Sequence, residues 1–472
     1  MKRLSTVSAL LACGTLLLSV TGCSHSDTNS GANIVLSVDT SKTLGPIDLT
    51  KYALGQGGLS DKPMIDTHVT QIAQLHPQTI RLFVKDFFDL YPAHGQYHWD
   101  TLDKAIEARL NAGAEPIMSL AFKPKVLYPE LDDTIVDPTS YTEWEQLISQ
   151  LVKHCNRDKK YNIRYWEVGN EVDIGEPGGC PYKFTPRNYL AYYKHTVDAI
   201  LRADPQVKVG GPALAGYKSP IADSLIQFAG EGNAPLDFLS WHIYNNDPKT
   251  IARTIDYMKQ KLNRYPRLTN TETILDEWNM SLGNPVMDPY FQPAFILETT
   301  YGFNEHGLSR SAYYHIQDYL VDQQMMSAFM SKKGAEGMAY WWNVMPQYDG
   351  LYDNQGRVRP SFYAFKLLSL IHGDQLAVSG TGSDVKAFAA HNGRSTNLIF
   401  WNFPANKPGQ TYKTTIQFPS ADGGSIRLVR LNPEGHVNEL EQIEHEHLSE
   451  TKTHPLEVSL HPYEVFWVEL TR

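Results

Sequence analysis

The pattern that most restricts the fold of this chain is a regular alternation of short apolar runs with amphipathic segments between about residues 51 and 371. Apolar runs of this length are typical of strands buried on both faces. Residues such as Leu102, Ile106 and Leu110 recur at the spacing of a helix. Eight such units in about 320 residues predict an α/β fold, a (β/α)8 TIM barrel formed by residues 46–373.

Eight predicted strands make up this barrel. They cover residues 51–58, 79–83, 114–120, 166–171, 207–211, 238–244, 273–279 and 337–342. A helix over residues 361–371 is expected to close the ring. The second of these strands carries Arg81, and the sixth carries His242 and Tyr244.

A different pattern flanks the barrel. Short alternating runs separated by turn residues such as Asn392-Gly393 follow Gly373, and they predict antiparallel strands. A short strand at residues 34–38 is expected to pair with them. Residues 34–45 together with 374–472 therefore predict a C-terminal β-sandwich accessory domain that supports the barrel.

Two of the predicted barrel strands carry carboxylic acids, Glu171 at the end of the fourth and Glu277 on the seventh. The carboxyl ends of parallel strands meet at one rim of a barrel, where such folds keep their chemistry. The two acids are 106 positions apart, which is ~35 residues per unit against the ~30 of an ordinary barrel. A retaining glycosidase needs two such groups, one to protonate the leaving oxygen and one to attack the sugar.

Other readings of these residues are open. An Asn-Glu pair at a strand end also caps helices. Glu167 shares a strand face with Glu171 and is expected to be a satisfied polar residue of the barrel interior. Arg81 is a candidate partner either of Glu277 or of Glu167. Asp276 is expected to point away from Glu277, because side chains alternate along a strand.

Two further residues are candidates for the pocket. Trp342, at the end of the eighth predicted strand, is a candidate floor for a sugar ring, and a core tryptophan is the alternative. Lys123 follows the third strand and would suit a carboxylated sugar, although a solvated lysine is the more ordinary reading.

The motifs around residues 166–171, 240–244 and 275–278, with a barrel followed by a sandwich, resemble glycoside hydrolase family 39, which includes β-xylosidases and α-L-iduronidases. The resemblance implies that Glu171 is the general acid/base and Glu277 the nucleophile, with Asn170 binding the 2-hydroxyl of the sugar. It also implies a carbohydrate substrate and no metal or cofactor. Within this scheme, Arg81 and Tyr244 would hydrogen-bond Glu277, and His242 would meet a sugar hydroxyl.

The chain departs from the family pattern in two places. Gly169 and Val172 stand where an aromatic residue and a proline commonly flank the Asn-Glu motif. The segment after the eighth predicted strand, residues 344–349, lacks the glutamates that bind the sugar in xylosidase members. The expected substrate is therefore a fragment of a plant or microbial polysaccharide whose sugar, linkage and site of cleavage stay open.

The N-terminal residues predict export. Lys2 and Arg3 precede an apolar run at residues 7–20 that is too short to span a membrane and suits a signal peptide over residues 1–22. Residues 18–23 resemble a lipobox, which implies a lipid on Cys23 and a tether over residues 23–33. Ser24 favours the bacterial outer membrane. An ordinary secretory signal is the alternative.

Composition narrows the remaining classes of function. Asp plus Glu exceeds Lys plus Arg by 52 to 42, so the basic surface required for nucleic-acid binding is lacking.

Cys155 and Cys180 are predicted to lie too far apart along one barrel strand to form a disulfide. A catalytically inactive carbohydrate-binding lipoprotein is the main alternative function. A metal-assisted barrel hydrolase is disfavoured, because no zinc-type ligand spacing occurs. The oligomeric state stays open.

Overall fold

A computed structural model describes residues 32–57, 64–404, 409–419, 424–432, 440–448 and 455–471. The predicted signal peptide, Cys23 and the tether up to residue 31 lie outside the described residues. Within the described ranges, no helix combines the length and the apolar character needed to cross a membrane.

The first described element is strand β1, Ala32–Pro46, which belongs to the accessory sheet. Eight strands then form a closed barrel in chain order, and all neighbouring pairs with assigned register are parallel. They are β2 Leu54–Gln56, β3 Thr79–Val84, β4 Glu115–Leu120, β5 Tyr165–Val168, β6 Lys208–Leu214, β7 Phe238–Tyr244, β8 Glu272–Asn279 and β9 Arg310–Tyr314. The predicted TIM barrel is confirmed.

Ten α-helices accompany these strands within the described residues. They are α1 Val69–Ala73, α2 Asp100–Asn111, α3 Tyr141–Lys153, α4 Pro186–Ala203, α5 Pro220–Gly230, α6 Pro248–Leu262, α7 Phe291–Glu305, α8 Gln323–Met326, α9 Lys332–Asn343 and α10 Pro360–Leu370. The predicted closing helix corresponds to α10. The apolar faces of the longer helices pack on the barrel strands and form the main core.

The prediction for the eighth strand is wrong. Residues 337–342 lie in helix α9. The eighth barrel strand is β9, which precedes α9 in the sequence. The buried residues Gly334, Ala335 and Met338 recur at helical spacing, and Ser331 caps the helix by accepting a hydrogen bond from the backbone N–H of Gly334 at 3.0 Å. A six-residue apolar run does not distinguish a strand from a short stretch of helix. Trp342 therefore lies on a helix rather than on a barrel strand.

The remaining strands form one nine-stranded sheet in which most pairs are antiparallel. They are β10 Asp374–Ser379, β11 Val385–His391, β12 Ser395–Asn402, β13 Tyr412–Gln417, β14 Gly424–Leu431, β15 Leu440–Leu448, β16 Leu456–Leu460 and β17 Val465–Thr471. Strand β1 lies inside this sheet, antiparallel to β10 and parallel to β13. The expected pairing of this early strand with the late ones is confirmed.

The accessory sheet has two buried faces. On one face, residues from eight of its strands form a separate apolar cluster that contains no helical residue, so the sheet folds over and its two halves enclose this cluster. On the other face, Phe388, Trp401 and Trp467 join the main core of the barrel. The indole N–H of Trp401 donates to Glu298 on α7 at 2.9 Å. The barrel and the sheet therefore share a continuous apolar interface.

Candidate active site

Arg81, on β3, organises the rim of the barrel and is 1% exposed. Its Nε donates to Glu167 on β5 at 2.7 Å, and its Nη1 donates to Glu277 on β8 at 2.8 Å. Its Nη2 donates to Oδ1 of Asn170 at 3.0 Å. Both partners considered for Arg81 are thus present at once. Asn170 binds this guanidinium, and Arg81 thereby links β3 to the side chains of β5 and β8.

Asp276 was expected to point away from the site, and this expectation is wrong. The pairing of β7 with β8 steps from Trp241 opposite Leu275 to His242 opposite Glu277, which leaves Asp276 as an extra residue. Such a bulge interrupts the alternation of side chains along a strand. Asp276 is fully buried, with Oδ2 at 3.0 Å from Arg81 Nη2 and 3.2 Å from His242 Nε2.

Glu171 lies just beyond the end of β5, in a left-handed backbone conformation with φ of 47°. Its backbone N–H donates to the carbonyl of Ala213 at 2.6 Å, which anchors the turn to β6. One carboxyl oxygen, Oε1, is 3.1 Å from Nδ1 of His242. The other faces Gly178, where the absence of a side chain leaves room for the carboxyl group. Glu171 is partly exposed and opens into a pocket.

Glu277 has a partner on each carboxyl oxygen. Oε1 accepts from Arg81, and Oε2 accepts from the hydroxyl of Tyr244 at 2.5 Å and lies 3.3 Å from His242 Nδ1. Burial raises the pKa of Glu277, whereas the positive charges of His242 and Arg81 act in the opposite direction. These contacts hold the carboxylate in one orientation at the pocket wall.

The two predicted acids face one another. One oxygen each of Glu171 and Glu277 and one ring nitrogen of His242 all lie within 4.8 Å of one another. A separation near 5 Å is what a retaining pair of carboxyl groups requires, whereas an inverting pair lies ~6.5–9.5 Å apart. Among the described residues, these three side chains are also close enough to coordinate a metal ion.

The buried titratable side chains beneath the pocket differ in the direction of their pKa shifts. Burial raises the pKa of Glu167 to about 8, and its carboxyl group hydrogen-bonds Asp276. Burial also acts to raise the pKa of Asp276, but Arg81 and His242 bring it below its usual value. Burial lowers the pKa of His242, yet Glu277 and Asp276 outweigh burial and raise it well above the ordinary range. At neutral pH, Glu167 is thus a neutral acid and His242 an imidazolium.

The pocket above these groups has a volume of about 300 Å³. Its lining includes Asn170, Glu171, Tyr244, Glu277, Tyr314, Tyr319, Trp341 and Trp342. Trp342, the candidate floor for a sugar ring, lines the pocket from α9 and stacks on Tyr319 with ring centroids 4.6 Å apart. Arg81 and His242 lie behind the lining and reach the pocket through the two glutamates.

Sequence reasoning missed several polar residues of this lining, among them Asp349 and Lys85. Asp349 lines the pocket, is 2% exposed and has an oxygen, Oδ1, without a hydrogen-bond partner among the described residues. Burial raises its pKa well above the usual value. Lys85 also lines the pocket and donates to the carbonyl of Gly179 at 2.5 Å. By contrast, Lys123 is not part of this lining and donates to the carbonyl of Asp132 at 2.5 Å.

A sequence signal existed for each of these residues. Lys85 directly follows β3, at the rim where Arg81 surfaces. Asp349 is the last residue of segment 344–349, which lacks the glutamates of xylosidase members, and an aspartate there is a shorter carboxyl group at a similar place.

A parallel barrel in which two carboxyl groups face one another from its fourth and seventh strands has the arrangement of the retaining glycoside hydrolases. Residues 80–404 match the family Glycosyl hydrolases family 39. The chain belongs to this family.

Curated relatives and solved structures agree with this membership. The chain is 25% identical over 325 residues to a "Beta-xylosidase" of Caldicellulosiruptor saccharolyticus, covering 64% of this chain and 62% of the relative. It is 25% identical over 304 residues to a "Beta-xylosidase" of Geobacillus stearothermophilus, covering 59% and 57%. The matched region thus spans about three fifths of each relative. The crystal structure of the GH39 enzyme from Xanthomonas axonopodis pv. citri shares the fold, with a TM-score of 0.77, 16% identity and coverage of 95% and 100%.

Proposed function

We propose that the protein is a retaining glycosidase that cleaves O-glycosidic bonds of plant or microbial oligosaccharides through a covalent glycosyl-enzyme intermediate. The observation that carries the proposal is the pair of carboxyl groups, Glu171 and Glu277, with oxygens within 4.8 Å in one pocket. This separation leaves room for an anomeric carbon between the two groups and no room for an intervening water.

In the first step, a carboxylate oxygen of Glu277 attacks the anomeric carbon while the carboxyl proton of Glu171 passes to the leaving oxygen. The glycosidic bond breaks, an ester forms on Glu277, and Glu171 becomes ionised. In the second step, Glu171 takes a proton from water as the water oxygen attacks the same carbon. The ester bond breaks and Glu277 regains its negative charge.

The surrounding groups orient the carboxylate of Glu277 and keep it ionised. Arg81 and Tyr244 donate hydrogen bonds to the two oxygens of Glu277, which fixes the orientation of the attacking carboxylate. His242, as an imidazolium beside Glu277, stabilises the ionised form of this carboxyl group through its positive charge. Asn170 is held by Arg81 and lines the pocket, which suits a contact with the 2-hydroxyl of the sugar.

We propose that the enzyme removes a sugar from a chain end. A pocket of about 300 Å³ lies at the lower limit of ligand pockets and accommodates little more than one sugar unit. Two relatives are named β-xylosidases, so β-xylosides are the first substrates to test. The polar groups of Asp349 and Gln347 line the pocket in the segment where xylosidase members carry glutamates, so other pentosides and hexosides belong in the same screen.

The test combines a nitrophenyl glycoside and oligosaccharide screen with the Glu277→Ala variant. We expect at least one sugar to be released, and turnover of that substrate to be lost in the variant. Glu272→Ala is the control, because Glu272 lies at the other end of β8 and pairs with Lys208. Persistent hydrolysis in Glu277→Ala would refute the assignment. Sugar binding without product across the panel would instead identify a carbohydrate-binding protein.

We also propose that the mature protein is held at the bacterial outer membrane by a lipid on Cys23. The proposal is supported by the lipobox-like residues 18–23 and by Ser24, which follows the cysteine and favours the outer membrane. Labelling with radioactive palmitate should mark the wild-type protein in the membrane fraction and should not mark Cys23→Ala. Equal labelling of both would contradict the anchor.

A further inference from the structure

Helix α9 and the residue that follows it, Val344, expose an apolar face. The side chains of Tyr340, Trp341 and Val344 are 53%, 44% and 66% exposed, and the rings of Tyr340 and Trp341 are 6.4 Å apart. The opposite face is covered, since Ala335 and Met338 are buried. A cluster of large apolar side chains on an exposed face indicates an interaction site.

This apolar face, Tyr340, Trp341 and Val344, continues into the pocket. Trp341 lines the pocket beside Trp342, and its six-membered ring also packs against Gly283. One residue thus belongs both to the pocket and to the exposed face. A molecule that fills the pocket and extends out of it passes over the ring of Trp341.

The position of Glu171 indicates which part of the substrate contacts Trp341. Gly178 packs directly against the carboxyl group of Glu171, and the next residue, Gly179, packs against Met338 of α9. The same turn is fastened to the start of α9, because the carboxylate of Glu176 accepts from the backbone N–H of Ser331 at 2.5 Å. Helix α9 therefore borders the pocket on the side of Glu171.

A general acid protonates the leaving oxygen, so the leaving group lies on the side of that acid. Arg81, Tyr244 and the attacking carboxylate of Glu277 lie beneath the sugar that becomes the ester. The leaving group thus departs past Glu171 and towards α9. The two rings of the apolar face offer it flat surfaces on which sugar rings stack through their C–H faces.

We propose that Trp341, assisted by Tyr340, forms a binding subsite for the sugar units of the leaving group, so that the preferred substrates are oligosaccharides rather than glycosides of small alcohols. This inference rests on the proposed glycosidase function and names its substrate class. Trp341 is a specificity-determining residue in this scheme. The direct continuity of the apolar face with the pocket favours the substrate over a membrane or a second copy of the chain.

The experiment compares two substrates of the same sugar that differ only in the leaving group. Xylobiose carries a sugar and xylosyl fluoride carries a single atom; the corresponding pair replaces them if the screen identifies another sugar. In Trp341→Ala we expect kcat/KM for the disaccharide to fall about tenfold further than kcat/KM for the fluoride. Trp341→Phe, which keeps a ring, should recover much of the difference.

The control is Leu44→Ala, which removes an apolar side chain that is 56% exposed on β1. It should leave both kcat/KM values at the wild-type level. Equal losses on both substrates in Trp341→Ala, or no loss on either, would overturn the subsite. A changed oligomeric state or loss of vesicle binding without a change in the substrate ratio would overturn it as well. Failure of the wild type to hydrolyse either substrate of any sugar would refute the glycosidase proposal instead.

Discussion

Gly178 controls the position of the proposed general acid. A Cβ atom at this residue would lie 2.7 Å from Cβ and 2.8 Å from Cδ of Glu171, and closer still to Oε2. Contacts this short involve the base of the glutamate side chain, so a rotation of its end does not relieve them. In Gly178→Ala, the backbone segments that carry residues 178 and 171 must therefore move apart, which takes the carboxyl group of Glu171 from its 3.1 Å contact with His242.

The size of the effect follows from the role of Glu171. A positioned general acid contributes roughly 10²- to 10⁴-fold to a rate, so the variant should lose at least about 10²-fold in kcat/KM on substrates with poor leaving groups, or about 2.7 kcal/mol of transition-state stabilisation. Dinitrophenolate leaves without a proton. Its glycoside should therefore lose much less in the first step, because Arg81 and Tyr244 still hold Glu277.

The assay is a series of aryl glycosides whose phenols span several pKa units, measured with the wild type and with Gly178→Ala. A steeper dependence of kcat/KM on leaving-group pKa in the variant is the expected result. Gly382→Ala is the matched control, because a Cβ atom there meets nothing within 4 Å. An equal loss for every leaving group, with an unchanged melting temperature, would refute the argument, since it would show that the turn does not act through Glu171.

Two predictions concern stability. The pKa of Glu167, about 8 in the folded protein, exceeds the ~4.3 of an unfolded glutamate. The folded state therefore binds more protons between these values, and the free energy of unfolding should fall as pH rises. Glu167→Gln keeps a donor towards Asp276 and should flatten this decline in urea midpoints from pH 5 to 8; an unaltered slope would contradict the assignment. Trp401→Phe leaves the buried carboxyl of Glu298 without its donor and should cost roughly 1–3 kcal/mol in urea unfolding. An unchanged midpoint would show that this bond is dispensable.

The fold was largely predictable from local pattern. Seven of the barrel strands are buried on both faces and read as apolar runs, so their positions followed from the sequence. The eighth was misplaced because β9 begins with Arg310 and Ser311, whereas the apolar residues that attracted the prediction belong to α9. The choice between them depends on which segment closes the barrel against β2, and that is a long-range property.

The site residues that lie on or directly after barrel strands were predictable from the sequence. Glu171, Glu277, Arg81, His242 and Tyr244 come together as the order of the strands requires. The inward turn of Asp276 depends on a bulge, which no feature of the local sequence announced. The place of Asp349 depends on hydrogen bonds that the side chains of Asn279 and Tyr313 donate to its backbone carbonyl, across tens of residues of the chain.

The pairing of β1 has a consequence for how the chain must assemble. This strand sits between β10 and β13, so the accessory sheet contains a gap until a segment made before the barrel meets segments made after it. During synthesis, more than three hundred residues separate β1 from β10 and β13, so β1 stays unpaired until these later strands have been made. The slow closing of so long a loop should govern the final stage of folding. A fragment beginning at β10 would lack an internal strand and present two unpaired edges, which invites aggregation when that fragment is expressed alone.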